Sequence, residues 1–189
     1  MGIGPRLRYT LVRTLQRVRT TRRNALEIYV DADACPVKDE VVRVADRHRL
    51  VVHMVSNSYM RLPERDTVRR VVVGGDADEA DDWIAERIGP GDIAITADIP
   101  LADRCLKAGA AVLGHNGKPF TDAGIGSALA MRDLMGHLRE TGEIRGGGPS
   151  FAKRDRSRFL EALERMIQAE RKRALLSRPK PPRPTAKGG

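Results

Sequence analysis

Apolar positions along this chain follow two rhythms. Short runs rich in β-branched residues occur at Glu27 to Asp31, Val51 to Val55, Val68 to Val73, Ile93 to Thr96 and Ala111 to Leu113, and each predicts a strand. Between and after them the apolar period shifts to 3.6. Val37, Val41, Val44 and Ala45 share one face of a predicted helix that follows Pro36, with that proline placed at the first helical position, which suits it. Further helices are predicted over Ala77 to Ile88, Pro100 to Ala108, Ile125 to Arg139 and Asp155 to Leu176. Residues 56–67, with Pro63 and mixed charge, and the Gly-rich segment Gly142 to Ser150 are expected as loops. Strands that alternate with helices predict a mainly parallel sheet with crossover helices, an α/β three-layer sandwich. No repeat of solenoid length occurs.

Charge placement changes the picture more than total charge does. The net charge is +9, but residues 1–26 hold seven Arg and no acid, and residues 171–189 hold seven Lys or Arg and no acid. The remaining 20 basic and 25 acidic side chains leave residues 27–170 at −5. The organisation expected is a basic extension over 1–26, one α/β domain over 27–170 and a basic, Pro-rich, disordered tail over 171–189. Leu7, Leu11, Leu15 and Val18 stand at helical spacing among the arginines, which suits an amphipathic helix for RNA or a membrane surface; a disordered leader is the competing expectation. The tails thus carry charge for phosphate and the domain carries carboxylates for metal.

Several classes are disfavoured. Cys35 and Cys105 form no CxxC pair, and His48, His53, His115 and His137 lack zinc-site spacing. No stretch approaches the roughly 18 apolar residues of a membrane span. A cytoplasmic protein is expected.

The carboxylates are placed where chemistry is done in such folds. Asp31 and Asp33 follow the apolar run Ile28-Tyr29-Val30, and Asp98 follows Ile93-Ala94-Ile95-Thr96-Ala97 ahead of Pro100. In open parallel sheets ligands bind at the carboxyl ends of the strands. Adjacent strands would bring Asp31 and Asp98 within roughly 5 Å, close enough to share a cation. On the predicted helix bearing Ala77, Ala80, Ile84 and Ile88, Asp81 projects about 40° from the apolar stripe, so it is expected to be partly buried and to need a compensating charge. Asp78 suits a helix start, Asp76 an N-cap, and Asp82 solvent. Capping alone is the alternative for Asp31, Asp33 and Asp98. Hard oxygen donors without His or Cys favour Mg²⁺ or Mn²⁺.

A resemblance sharpens this. Asp31-Ala32-Asp33-Ala34-Cys35-Pro36, Asn57, Asp78-x-Ala80-Asp81, Thr96-Ala97-Asp98-Ile99-Pro100-Leu101-Ala102, Met131-Arg132-Asp133 and Gly147-Gly148-Pro149 followed by Arg154-Asp155-Arg156 together resemble the bacterial YaiI/YqxD family over about residues 27 to 168. That uncharacterised family is similar in fold to PIN-like domains, whose members commonly cut RNA at an acidic metal site. The resemblance implies Asp31 and Asp98 as metal ligands, Asp81 as a ligand directly or through water, and Asp33 as a ligand or water-orienting base. Asp103 is a further candidate. Asn57, Arg132, Arg154 and Arg156 are implied as substrate contacts, with an Asx turn or a solvated helix face as the plainer roles. The function expected is a divalent-metal-dependent nuclease acting on RNA in preference to DNA.

Two other classes compete. Asp31-Ala32-Asp33 after a strand, with Ser56, Gly75-Asp76 and Asp81 downstream, also resembles haloacid dehalogenase-type phosphatases, but no Lys lies between Lys38 and Lys107 to hold the phosphate. A nonenzymatic nucleic-acid or protein adaptor would use the tails alone. The 4% aromatic content leaves few base-stacking platforms in the body. Cys35 lacks an adjacent basic partner of the kind that makes a nucleophile.

Overall fold

The computed structural model describes residues 25–140, apart from 34, 75 and 77, and residues 151–177. Residues 1–24 of the basic leader, the Gly-rich segment 141–150 and residues 178–189 of the basic tail lie outside them. The elements in chain order are β1 (Glu27–Asp31), α1 (Lys38–His48), β2 (Val51–Ser56), β3 (Val68–Val72), α2 (Glu79–Ala85), β4 (Ile93–Ile95), α3 (Ile99–Lys107), β5 (Ala111–Leu113), β6 (Pro119–Phe120), α4 (Asp122–Glu140) and α5 (Lys153–Leu176).

All six strands join one sheet in the order β3-β2-β1-β4-β5-β6. Neighbours from β3 through β5 are parallel, and only β6 runs antiparallel, against β5. The two-residue β6 was not expected, because a run that short has no periodicity to read. From β1 the chain builds outward through β2 to β3, then returns to place β4 on the other side of β1. The order therefore reverses between β1 and β4, which opens a crevice at their carboxyl ends.

Alternation along the strands sends side chains into two cores. Ile28, Val30, Val52, Met54, Ile93 and Ile95 face the layer formed by α1 and α5, where Val41, Val44, Phe159, Leu163 and Ile167 are buried. Tyr29, Val55, Ala94 and Val112 face the other layer, where α2 contributes Ala80 and Ile84 and α3 contributes Leu101, Ala102 and Cys105. Helices on both faces of the sheet make a three-layer sandwich. Strands covered on both sides must be apolar at nearly every position, which is why β1 and β4 read as continuous apolar runs.

Local boundaries depart from expectation in instructive ways. α1 begins at Lys38 with Val37 at the N-cap, so Pro36 stands before the cap rather than at the first helical position. α2 begins at Glu79, with Asp78 rather than Asp76 at its N-cap position. α5 ends at Leu176, where that helix was predicted to end, so the first residues of the basic tail expected over 171–189 belong to the helix. Among the described residues, no helix is long and apolar enough to cross a membrane.

Candidate functional site

The crevice between β1 and β4 is built from strand alternation. Tyr29 faces the α2/α3 layer, so Asp31, two residues on, faces it as well. Thr96, just past β4, takes the matching position and donates its hydroxyl to Asp31 Oδ2 at 3.0 Å. The backbone N–H of Asp98 donates to the same Thr96 oxygen at 2.9 Å. One fully buried threonine thus bridges the two strand ends that carry the aspartates.

Asp98 is the N-cap of α3: its Oδ1 accepts from Leu101 N–H at 2.8 Å, with Pro100 in the first turn. Capping is therefore part of its role. It is not the role of Asp31 or Asp33, because the α1 cap is Val37 and has no side-chain capping bond. Asp33 Oδ2 instead accepts the Asn57 N–H at 2.8 Å, and Asn57 Nδ2 donates to the Asp76 carbonyl at 3.2 Å, which ties the ends of β1, β2 and β3 together. Asn57 Oδ1 is buried with no hydrogen-bond partner.

Electrostatics couple these groups. Burial raises the Asp31 carboxyl above its usual range; the Thr96 bond opposes this, and the charges of Asp33 and Asp98 add to it. Asp81, half-buried on α2, is pushed up to about 6 by burial and by the charges of Asp98 and Asp31, with Arg104 opposing and Asp78 adding a little. Carboxylates from β1, α2 and the start of α3 thus act on one another in a single crevice. Asp31 and Asp98, expected at strand ends, and Asp81, expected at the border of a helix's apolar stripe, share one crevice, with Asp33 at its border.

Other candidates are placed differently. Asp103 pairs with Lys107 along α3 at 2.6 Å, and Asp82 pairs with Arg104 at 2.7 Å. Arg156 Nη1 bonds Glu40 Oε1 at 2.9 Å and the Pro36 carbonyl at 3.1 Å, which clamps α5 onto the loop between β1 and α1. Arg132 is half-exposed on α4 beside Asp133, at 3.8 Å, and Arg154 is exposed on α5. Cys35 is buried and its thiol is pushed up to about 12 by that burial, which removes it as a nucleophile near neutral pH.

Three neighbours of the site were not singled out from sequence. Thr96 carries a signal, since its place one residue past an apolar strand puts it on the Asp31 face if the strands are adjacent. Arg104 reaches the carboxylates only because α2 packs on α3, and nothing local announces that. Lys38 donates to the Ala32 carbonyl at 3.0 Å and so holds the turn between Asp31 and Asp33.

The donor set suits a hard divalent cation: carboxylate oxygens held in mutual repulsion, with the unpaired Asn57 carbonyl oxygen nearby. Among the described residues, no three His, Cys, Asp or Glu side chains already form a metal-sized cluster.

Comparison with known proteins follows the same residues. A family model described as "Uncharacterized BCR, YaiI/YqxD family" matches residues 29–169. A UPF0178 protein of Parvibaculum lavamentivorans is 66% identical over 147 residues, covering 78% of this chain and 97% of the relative. One from Rhodospirillum rubrum is 61% identical over 145 residues, covering 76% of this chain and 97% of the relative. One from Rhodopseudomonas palustris is 60% identical over 141 residues, covering 75% of this chain and 89% of the relative. No solved structure matches the chain.

Proposed function

The chain belongs to the YaiI/YqxD family, and from that premise we propose that it is a divalent-metal-dependent phosphodiesterase that cuts nucleic acid, RNA in preference to DNA. The observation that carries this reading is the convergence of Asp31, Asp81 and Asp98 on one crevice, where burial first and the neighbouring carboxylates second push Asp81 up to about 6. Uncompensated, such a cluster costs stability; a cation relieves it and gains a site. The preference for RNA comes from the resemblance to PIN-like nucleases.

In this reading Asp31 and Asp98 would hold Mg²⁺ or Mn²⁺, with Asp81 as the third carboxylate of the site. When bound, the ion supplies charge stabilisation for a phosphoryl group and lowers the pKa of a coordinated water. The chain's own residues do the rest. Thr96 fixes the Asp31 carboxylate, so that its orientation is set by a hydrogen bond rather than by chance. Asp33 keeps one oxygen on the Asn57 amide, which leaves the other to orient water. Arg104, held by Asp82 at the rim, offsets part of the negative charge that would repel a phosphodiester.

The test is cleavage of a mixed pool of RNA and single-stranded DNA with Mn²⁺ and with EDTA, using wild type, Asp33→Asn and Asp98→Asn, with a phosphomonoester substrate in parallel. Metal-dependent cleavage lost in both variants is the expected result. Turnover of the phosphomonoester alone would favour the phosphatase, and no turnover by folded wild type would leave nucleic-acid or protein binding as the default.

A further inference from the structure

Beside the carboxylate crevice, the segment that leads from β2 to β3 presents the opposite chemistry. Residues 57–73 contain Arg61, Arg65, Arg69 and Arg70 against Glu64 and Asp66, within a domain whose overall balance is acidic. All four arginines are exposed. At the start of the segment stands Tyr59, 73% exposed, a large aromatic residue left in water. The Arg70 guanidinium lies over its ring at 4.8 Å from the centroid and donates to its hydroxyl at 3.4 Å. Arg70 also forms one wall of an open depression of about 550 Å³ lined by Leu62, Pro63, Glu64, Arg65, Asp66 and Val68.

We infer that Tyr59, backed by Arg70, is a stacking platform for a base of single-stranded nucleic acid whose backbone runs along this arginine-bearing segment. Three observations converge. An exposed ring with a cation fixed on one face offers its other face to a flat, electron-rich partner. The arginines around it suit the phosphates that accompany such a base. Its position suits the proposed chemistry: Asn57, two residues earlier, is bonded to Asp33, and two residues of chain span at most about 7 Å. That reach is about one nucleotide step. A protein partner would also be drawn to an exposed tyrosine, but the surrounding charge favours a polyanion.

The inference deepens the nuclease reading, and its test is built to be separable from it. Binding of a fluorescent single-stranded RNA to the full-length protein is measured by anisotropy in EDTA and about 0.3 M salt, which suppresses cleavage and screens the basic termini. A second oligonucleotide of equal length, abasic over its central residues, carries the same phosphates without those bases. Wild type is expected to prefer the base-bearing strand, Tyr59→Ala to lose about tenfold in affinity for it with little change for the abasic strand, and Tyr59→Phe to keep the preference. Equal affinity of wild type for the two strands, an unaffected Tyr59→Ala, or no binding by wild type would overturn the inference. Tyr59-dependent binding without cleavage in any metal would leave the platform standing while the nuclease reading failed, and cleavage indifferent to Tyr59 would do the reverse.

Discussion

Thr96 donates its hydroxyl to Asp31 at 3.0 Å while accepting the Asp98 N–H at 2.9 Å, so one side chain couples the two strand ends on which the site depends. Thr96→Val keeps the shape and removes both bonds. Unfolding free energy should fall by about 1–2 kcal/mol, since a half-buried carboxylate loses a donor and a half-buried N–H loses its acceptor. Thr96→Ser, which keeps the hydroxyl, should recover most of that. Urea denaturation of the three proteins measures it, and a Thr96→Val as stable as wild type would show that the bridge contributes nothing.

Asp98 combines a structural and a chemical role, and the two can be separated. Its carboxylate caps α3 by accepting Leu101 N–H, a bond that an amide oxygen can replace. Asp98→Ala should therefore cost about 1 kcal/mol through the lost cap, whereas Asp98→Asn should stay close to wild type in stability. Loss of metal response in a stable Asp98→Asn would then report chemistry and not unfolding.

Asp81 makes the metal-free protein sensitive to pH. Its carboxyl is pushed from 3.8 to about 6 by burial and then by its acidic neighbours. Between those values the folded state holds a proton that the unfolded chain has released, so acidification through that window adds stability and a rise to neutral pH removes it. In EDTA, Asp81→Asn should be more stable than wild type at pH 7.5 by about 1 kcal/mol, discounted because much of the group meets water, and the gain should vanish near pH 4. Thermal denaturation at the two pH values decides this; a gain of the same size at both would point to a cause other than ionisation.

Arg156 was assigned by resemblance to phosphate, yet its guanidinium lies on Glu40, which is 3% exposed and has one oxygen without a partner. Arg156→Ala should destabilise by about 2 kcal/mol, because Arg43 alone remains to compensate a buried charge. Adding Glu40→Met to that variant should restore much of the loss. A stable Arg156→Ala with weakened RNA binding would instead support the phosphate role.

These particulars show what sequence carries and what it hides. The apolar runs of β1 and β4 were legible because strands covered on both faces leave little choice of residue. The aspartates at their ends were legible for the same reason, since polarity resumes where the sheet stops. That the strands which Asp31 ends and Asp98 follows are neighbours was not written locally: it comes from β1 pairing with β4, residues 65 apart at the Thr96–Asp31 bond. Cap positions were misread at Pro36 and Asp76 because proline and aspartate suit several places around a helix start. Arg104 and Arg156 owe their partners to contacts between α2 and α3 and between α5 and the β1–α1 turn, which no periodicity encodes.

The most direct test of the central claim is a Mn²⁺ titration followed by calorimetry on the full-length protein at pH 7.5, with Asp31→Asn and Asp98→Asn alongside. A saturable site at one or two ions per chain, weakened at least tenfold in each folded variant, is the predicted result. Wild type that takes up Mn²⁺ no more tightly than the two variants would contradict the claim that the crevice between β1 and β4 is a metal centre.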